Sequence, residues 1–115
     1  MVHELSLLRG VVATVELTAT ARGATGVEAV GLRVGTLSGA VPEALRGAWP
    51  IATAGTIVAG ARLDIEEVPA AVRCPACVKA QPIDEFFALR CPVCGTPTAD
   101  LVAGREFETI YADLN

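Results

Sequence analysis

The most specific chemistry in this chain belongs to four cysteines and one histidine. Cys74-Pro75-Ala76-Cys77 and Cys91-Pro92-Val93-Cys94-Gly95 are two C-x-x-C pairs separated by residues 78–90. Two residues between thiolates let one turn offer both sulfurs to a single ion, with backbone N–H groups directed at them. Gly95 permits the backbone conformation that follows the second pair. Four thiolates at about 2.3 Å form a closed tetrahedral site, the pattern of structural rather than catalytic Zn(II). A rubredoxin-like iron site, a redox dithiol pair and disulfides draw on the same residues. The iron site would want more aromatic packing than Phe86 and Phe87 offer. Disulfides fit poorly with an N-terminus that lacks a basic leader and apolar run, which predicts a cytoplasmic protein.

The single imidazole is His3, next to the amino terminus and followed by Glu4. A terminal amine, deprotonated backbone amides and an imidazole make fused chelate rings in a square plane. That geometry suits Ni(II) or Cu(II) and suits Zn(II) poorly. If Met1 is retained, Met1-Val2-His3 places the histidine third after the amine. If Met1 is removed, the Val2 amine, the His3 amide and imidazole, and the Glu4 amide complete the plane. Either route requires loss of amide protons, so affinity should rise steeply with pH.

The rest of the composition narrows the field. At 115 residues the chain suits one small domain with at most a minor appendage. Apolar residues make up 52% but aromatics only 4%, so the core must be aliphatic. Mean hydropathy is +0.50, yet the uncharged stretch Gly47 to Ala61 contains Pro50, Gly55 and Gly60. It falls short of the roughly 20 apolar residues of a membrane span, and none is expected. A net charge of −4 and a pI near 4.9 disfavour nucleic acid. Lys79 and Arg90 are the only basic residues between Cys74 and Cys94, against Asp84 and Glu85, which argues against a phosphate-binding zinc ribbon.

These groups need elements to position them. Leu5, Leu8, Val12, Val15 and Ala19 recur at helical spacing and predict a helix over 3–21, ended by Gly23. Val27 to Val34 alternates, with Val30, Leu32 and Val34 on one face of a half-buried strand, and a Gly35–Gly39 loop follows. Pro42 opens a second helix carrying Leu45, Ala48, Trp49 and Ala52, and Pro50 predicts a kink or early end. Arg62 to Val68 alternates again until Pro69. Arg105 to Ala112 predicts a third strand, with Phe107, Thr109 and Tyr111 on one side. The expected fold is α+β: two helices on a small three-stranded sheet, with a four-Cys zinc-ribbon-like module inserted before the last strand. The expected boundaries are 1–69 plus 105–115 for the α/β domain and 70–104 for the module. Segments 69–72 and 99–104 read as hinges. The module is too small to hold a core unaided, so the cysteines must staple it.

His3-Glu4-Leu5-Ser6-Leu7, Val34-Gly35-Thr36-Leu37-Ser38, Pro42-Glu43-Ala44-Leu45 through Trp49, Gly55-Thr56, Leu63-Asp64-Ile65 with Val68-Pro69, and both cysteine pairs follow one pattern. Together they resemble the HypA family of nickel metallochaperones, which serve [NiFe]-hydrogenase and in some organisms urease. The resemblance implies a nickel site at His3, Glu4 and the preceding amine (Val2, or Met1 if retained), and zinc at Cys74, Cys77, Cys91 and Cys94. It also implies a HypB-type GTPase and the hydrogenase large-subunit precursor as partners. The family usually begins Met-His-Glu, and Val2 is an insertion that removal of Met1 would compensate. No histidine stands beside the cysteines. The leading reading is a carrier that binds and hands over Ni(II), without turnover, as a monomer or weak homodimer. A zinc-ribbon adaptor with a silent N-terminus is the alternative. An enzyme finds little support, with one His, no phosphate loop and no paired carboxylates near the cysteines.

Overall fold

A computed structural model describes residues 2–83 and 88–115. Met1, Asp84, Glu85, Phe86 and Phe87, which entered the reading above, lie outside the described residues. Helix α1 spans Val2–Ala21, and Leu8, Val12, Val15 and Ala19 are buried along its inner stripe. Its end follows from Gly23, whose φ of +72° a side chain would resist. Gly23 N–H donates to Thr20 O and Ala24 N–H to Ala19 O, at 3.1 and 2.9 Å, closing a Schellman turn.

Strand β1 (Val27–Gly35) is the centre of the first sheet, parallel to β2 (Arg62–Val68) and antiparallel to β6 (Phe107–Leu114). A parallel neighbour demands a crossover, and α2 (Pro42–Thr53) supplies it. Val30, Leu32 and Val34 join the α1 stripe and Leu45, Trp49 and Ala52 of α2 in one core. Trp49 satisfies its indole N–H on Ala61 O at 2.8 Å. Contrary to the expected early end, α2 continues to Thr53 past Pro50. Pro50 sits on the exposed side of the last turn, so the one helical hydrogen bond it removes falls at the end of α2 and away from the core.

Two further expectations for this sheet are corrected. Strand β1 is buried on both faces rather than half-buried, because its neighbours' side chains lie across it. The Tyr111 ring covers Gly31 so closely that a Cβ there would stand 2.2 Å from it. Arg33 is held on the same face by Glu66 at 2.7 Å and Glu108 at 3.0 Å. Secondly, β6 runs Phe107–Leu114 rather than 105–112, and its faces are not those of simple alternation. Thr109 pairs with Leu32 and Tyr111 with Gly31, leaving Ile110 as the extra residue of a bulge. Phe107 therefore packs on the core while Tyr111 is turned to the opposite face.

A second three-stranded sheet, in the order β4-β3-β5, is formed by β3 (Ala71–Cys74), β4 (Lys79–Pro82) and β5 (Leu101–Ala103). Its strands are three or four residues long, too short for an alternation signal. The expected hinges fall largely within it: Ala71 pairs with Ala103, and Val72 with Leu101. They are also tied to the first sheet. Leu37 N–H donates to Gly104 O at 2.6 Å, and Ala70 N–H to Thr36 Oγ1 at 3.1 Å. Gly35 meets Gly104 backbone to backbone, since a Cβ on Gly35 would lie 2.2 Å from the Gly104 carbonyl carbon. Both supposed pivots are thus pinned by hydrogen bonds and close packing. The radius of gyration, 17.4 Å, exceeds the roughly 13 Å of a compact domain of this length, and the extents are 53 × 28 × 16 Å. No helix among the described residues is long and apolar enough to cross a membrane.

Candidate metal centre

Strand β3 ends at Cys74, and the chain turns through Pro75 and Ala76 to Cys77. Cys77 N–H donates to Cys74 Sγ at 3.3 Å, and Val78 N–H to Cys74 O at 2.8 Å. The second pair repeats this turn: Val93 N–H donates to Cys91 Sγ at 3.4 Å, and Gly95 N–H to Cys91 O at 2.9 Å. The residue after each pair takes a left-handed conformation, φ +77° at Gly95 and +56° at Val78. Glycine accommodates this freely, whereas a β-branched valine is strained there by roughly 1–3 kcal/mol. Residue spacing identified the Gly95 position but gave no hint of its strained counterpart.

The two turns face each other and bring all four sulfurs within 4.8 Å of one another. Cys74 Sγ lies 3.5 Å from Cys94 Sγ, and Cys77 Sγ 4.0 Å from Cys91 Sγ. Ligands at about 2.3 Å from a tetrahedral ion stand about 3.8 Å apart, so the sulfur set is compatible with zinc. The thiols differ in environment. The Thr96 hydroxyl and N–H draw Cys94 down to about 6, while donation to Cys94 and Cys74 in a crowded cluster pushes Cys77 up to about 12. A divalent cation binding here displaces protons, as thiolate coordination requires. The cysteines are unpaired as disulfides.

At the other candidate site, α1 begins at Val2, so the His3 and Glu4 N–H groups lie in the first helical turn. Amides there have no intrahelical acceptor and are open to other partners. His3 is exposed, and its Nε2 is 3.8 Å from where a Cβ would stand on Gly39. Glu4 is only 2% exposed. Its Oε2 accepts the Val41 N–H at 3.4 Å, and Oε1 has no partner among the described residues. The carboxylate thereby ties the first turn of α1 to the residue preceding α2. Sequence spacing placed Glu4 beside His3 without revealing this burial, because the contact depends on a loop 37 residues away.

Two helices on a mixed sheet, a second sheet carrying a four-sulfur cluster and an exposed N-terminal imidazole define a small α+β metal-binding protein. The family described as "Hydrogenase/urease nickel incorporation, metallochaperone, hypA" matches residues 2–112, and the chain belongs to it. It is 41% identical over 108 residues to the hydrogenase maturation factor HypA of Chloroflexus aggregans, covering 94% of this chain and 95% of that one. The Methylocella silvestris protein of the same name is 42% identical over 112 residues, covering 97% and 98%. The fold is similar to the solution structure of the Ni metallochaperone HypA from Helicobacter pylori, with TM-score 0.65 and 19% identity over 96% of each chain. A second solution structure of a HypA protein gives TM-score 0.72 and 20% identity, covering 100% of this chain and 98% of that one. The family is one of nickel incorporation and hydrogenase maturation, and this favours the carrier reading over the adaptor. That role implies maturation partners.

Proposed function

We propose that this chain carries Ni(II) at its N-terminus for delivery during [NiFe]-hydrogenase maturation, with urease as a second recipient. The observation that carries the reading is the first turn of α1, where the exposed His3 adjoins amides without helical acceptors. The proposed ligands are the Val2 amine after loss of Met1, the His3 amide and imidazole, and the Glu4 amide. With Met1 retained, its amine takes the first place. A surface chelate suits an ion that is cargo, because an acceptor can reach it. The HypB-type GTPase and the hydrogenase large-subunit precursor are the proposed partners, and the chain itself performs no catalysis. We read it as cytoplasmic and as a monomer or weak homodimer.

Cys74, Cys77, Cys91 and Cys94 are assigned to one Zn(II), whose role is to hold the two turns together. Residues 70–104 then form the zinc module, and 1–69 with 105–115 the nickel domain. The burial of Cys74 and Cys91 and the matching S···S distances support the assignment.

The test is a Ni(II) titration of tag-free protein, with its start fixed by intact mass. A diamagnetic square-planar spectrum that disappears in His3→Ala is expected. An unchanged spectrum in that variant would falsify the N-terminal site.

A further inference from the structure

The four cysteines are unequal in their exposure to solvent. Cys74 and Cys91 are 0% and 2% exposed, Cys77 is half-buried, and Cys94 is exposed. Cys74 is held at the end of a strand paired on both sides, by β4 and β5. Cys94 sits in a turn outside the named strands, with Gly95 after it. Its Sγ is 3.5 Å from Cys74 Sγ, across the gap between the two turns. A disulfide requires about 2.05 Å, so a displacement of order 1.5 Å joins them, and the mobile partner is the one on the turn.

We propose that Cys94 is an oxidation site for hydroperoxides, and that it closes on Cys74 as a disulfide linking the two cysteine pairs. The proposal rests on the sulfur cluster being the zinc ligand set assigned above. The Cys94 sulfur attacks one peroxide oxygen, so an S–O bond forms and the O–O bond breaks. The leaving hydroxide takes up a proton from solvent, since the zinc-bound sulfur is a thiolate, producing water and a sulfenic acid on Cys94. The Cys74 thiolate then attacks the Cys94 sulfur: the S–S bond forms, the S–O bond breaks, and the departing hydroxide takes a second proton from solvent to leave as water. Two thiolates are oxidised by two electrons in all, one peroxide is reduced, and two solvent protons are consumed. Afterwards only Cys77 and Cys91 remain as thiolate donors, too few for a closed tetrahedral site, so the metal is released. The reducible link would make zinc retention, and with it the order of the two cysteine turns, sensitive to oxidant.

The wild-type protein is sufficient for the test, since trypsin cuts after Arg73, Lys79 and Arg90 and leaves each cysteine pair on its own peptide. Zinc content is measured first; less than one equivalent overturns the zinc assignment on its own, whereas the disulfide map reads out regardless. Limiting N-ethylmaleimide should modify Cys94 about fivefold faster than Cys77, following exposure. One equivalent of hydrogen peroxide should give a joined peptide carrying Cys74–Cys94, with one zinc freed per link and recovery on adding dithiothreitol. Links confined to Cys74–Cys77 or Cys91–Cys94, or zinc fully retained after linkage, would overturn the proposal. So would Cys77 reacting as fast as Cys94.

Discussion

His3 and Glu4 are neighbours in sequence with opposite surroundings, one imidazole in solvent and one carboxylate in the interior. In the proposed chelate Glu4 contributes its backbone nitrogen, while its side chain holds Val41 N–H. Glu4→Gln keeps both the amide and an acceptor oxygen, so its square-planar nickel spectrum should match wild type, unlike that of His3→Ala. Loss of the spectrum in Glu4→Gln would make the carboxylate a ligand. Nickel affinity should climb with pH in both wild type and Glu4→Gln, because amide protons must leave. Elsewhere, Arg62 and, next, Tyr111 hold the Asp64 carboxyl below its ordinary value of 3.8. A depressed carboxyl stabilises the fold above its ordinary pKa, and that contribution is lost as pH falls through the folded value. The hydroxyl of Tyr111 is raised above 10.0, chiefly by its bond to Asp64, so its contribution disappears as pH rises beyond that value. Denaturant midpoints at pH 7 and pH 3 should therefore differ more for wild type than for Asp64→Asn. Equal acid sensitivity would remove Asp64 from the account.

At the scale of elements, close backbone approaches set the sharpest constraints. A Cβ on Gly35 meets the Gly104 carbonyl at 2.2 Å, and one on Gly31 meets the Tyr111 ring at 2.2 Å. A ring can rotate away, whereas paired backbone cannot. Gly31→Ala should cost about 1–3 kcal/mol in urea unfolding, and Gly35→Ala more. The reverse order would mean that the contact between the sheets is yielding. Val78 offers the opposite case: Val78→Gly removes its positive-φ strain and should raise zinc-loaded stability by about 1 kcal/mol. The long elements were legible because their periods repeat: the α1 stripe from Leu8 to Ala19 and the alternation of Val30, Leu32 and Val34. The four-sulfur cluster was legible because cysteine spacing encodes a turn directly. What could not be read was set by distant partners. Ile110 becomes a bulge only through its register with β1, and the segments at 71–72 and 101–103 acquire strand structure by pairing with each other and, for 71–72, with β4 as well. Glu4 likewise needed the loop before α2 to close over it.

For the whole molecule, two small sheets share one chain and meet at Gly35, Ala70 and Gly104. Among the described residues the aliphatic core, with Trp49 in it, belongs to the first. Removing the proposed zinc with a chelator, or making Cys91→Ala, should abolish amide protection over residues 74–83 and 88–98 while leaving Trp49 fluorescence within a few per cent of wild type. A large Trp49 change would show that the first sheet depends on the cysteine cluster. The strand order carries a consequence for synthesis. The central strand β1 receives its antiparallel neighbour β6 only after the cysteine segment has been made. The cysteine turns are therefore already synthesised when the sheet under the helix that bears the imidazole still lacks its last strand. Released chains truncated before Phe107 should be protease-sensitive over the first sheet, and the order of synthesis thus leaves the proposed cargo site without a rigid floor until the segment after the cysteine turns is in place.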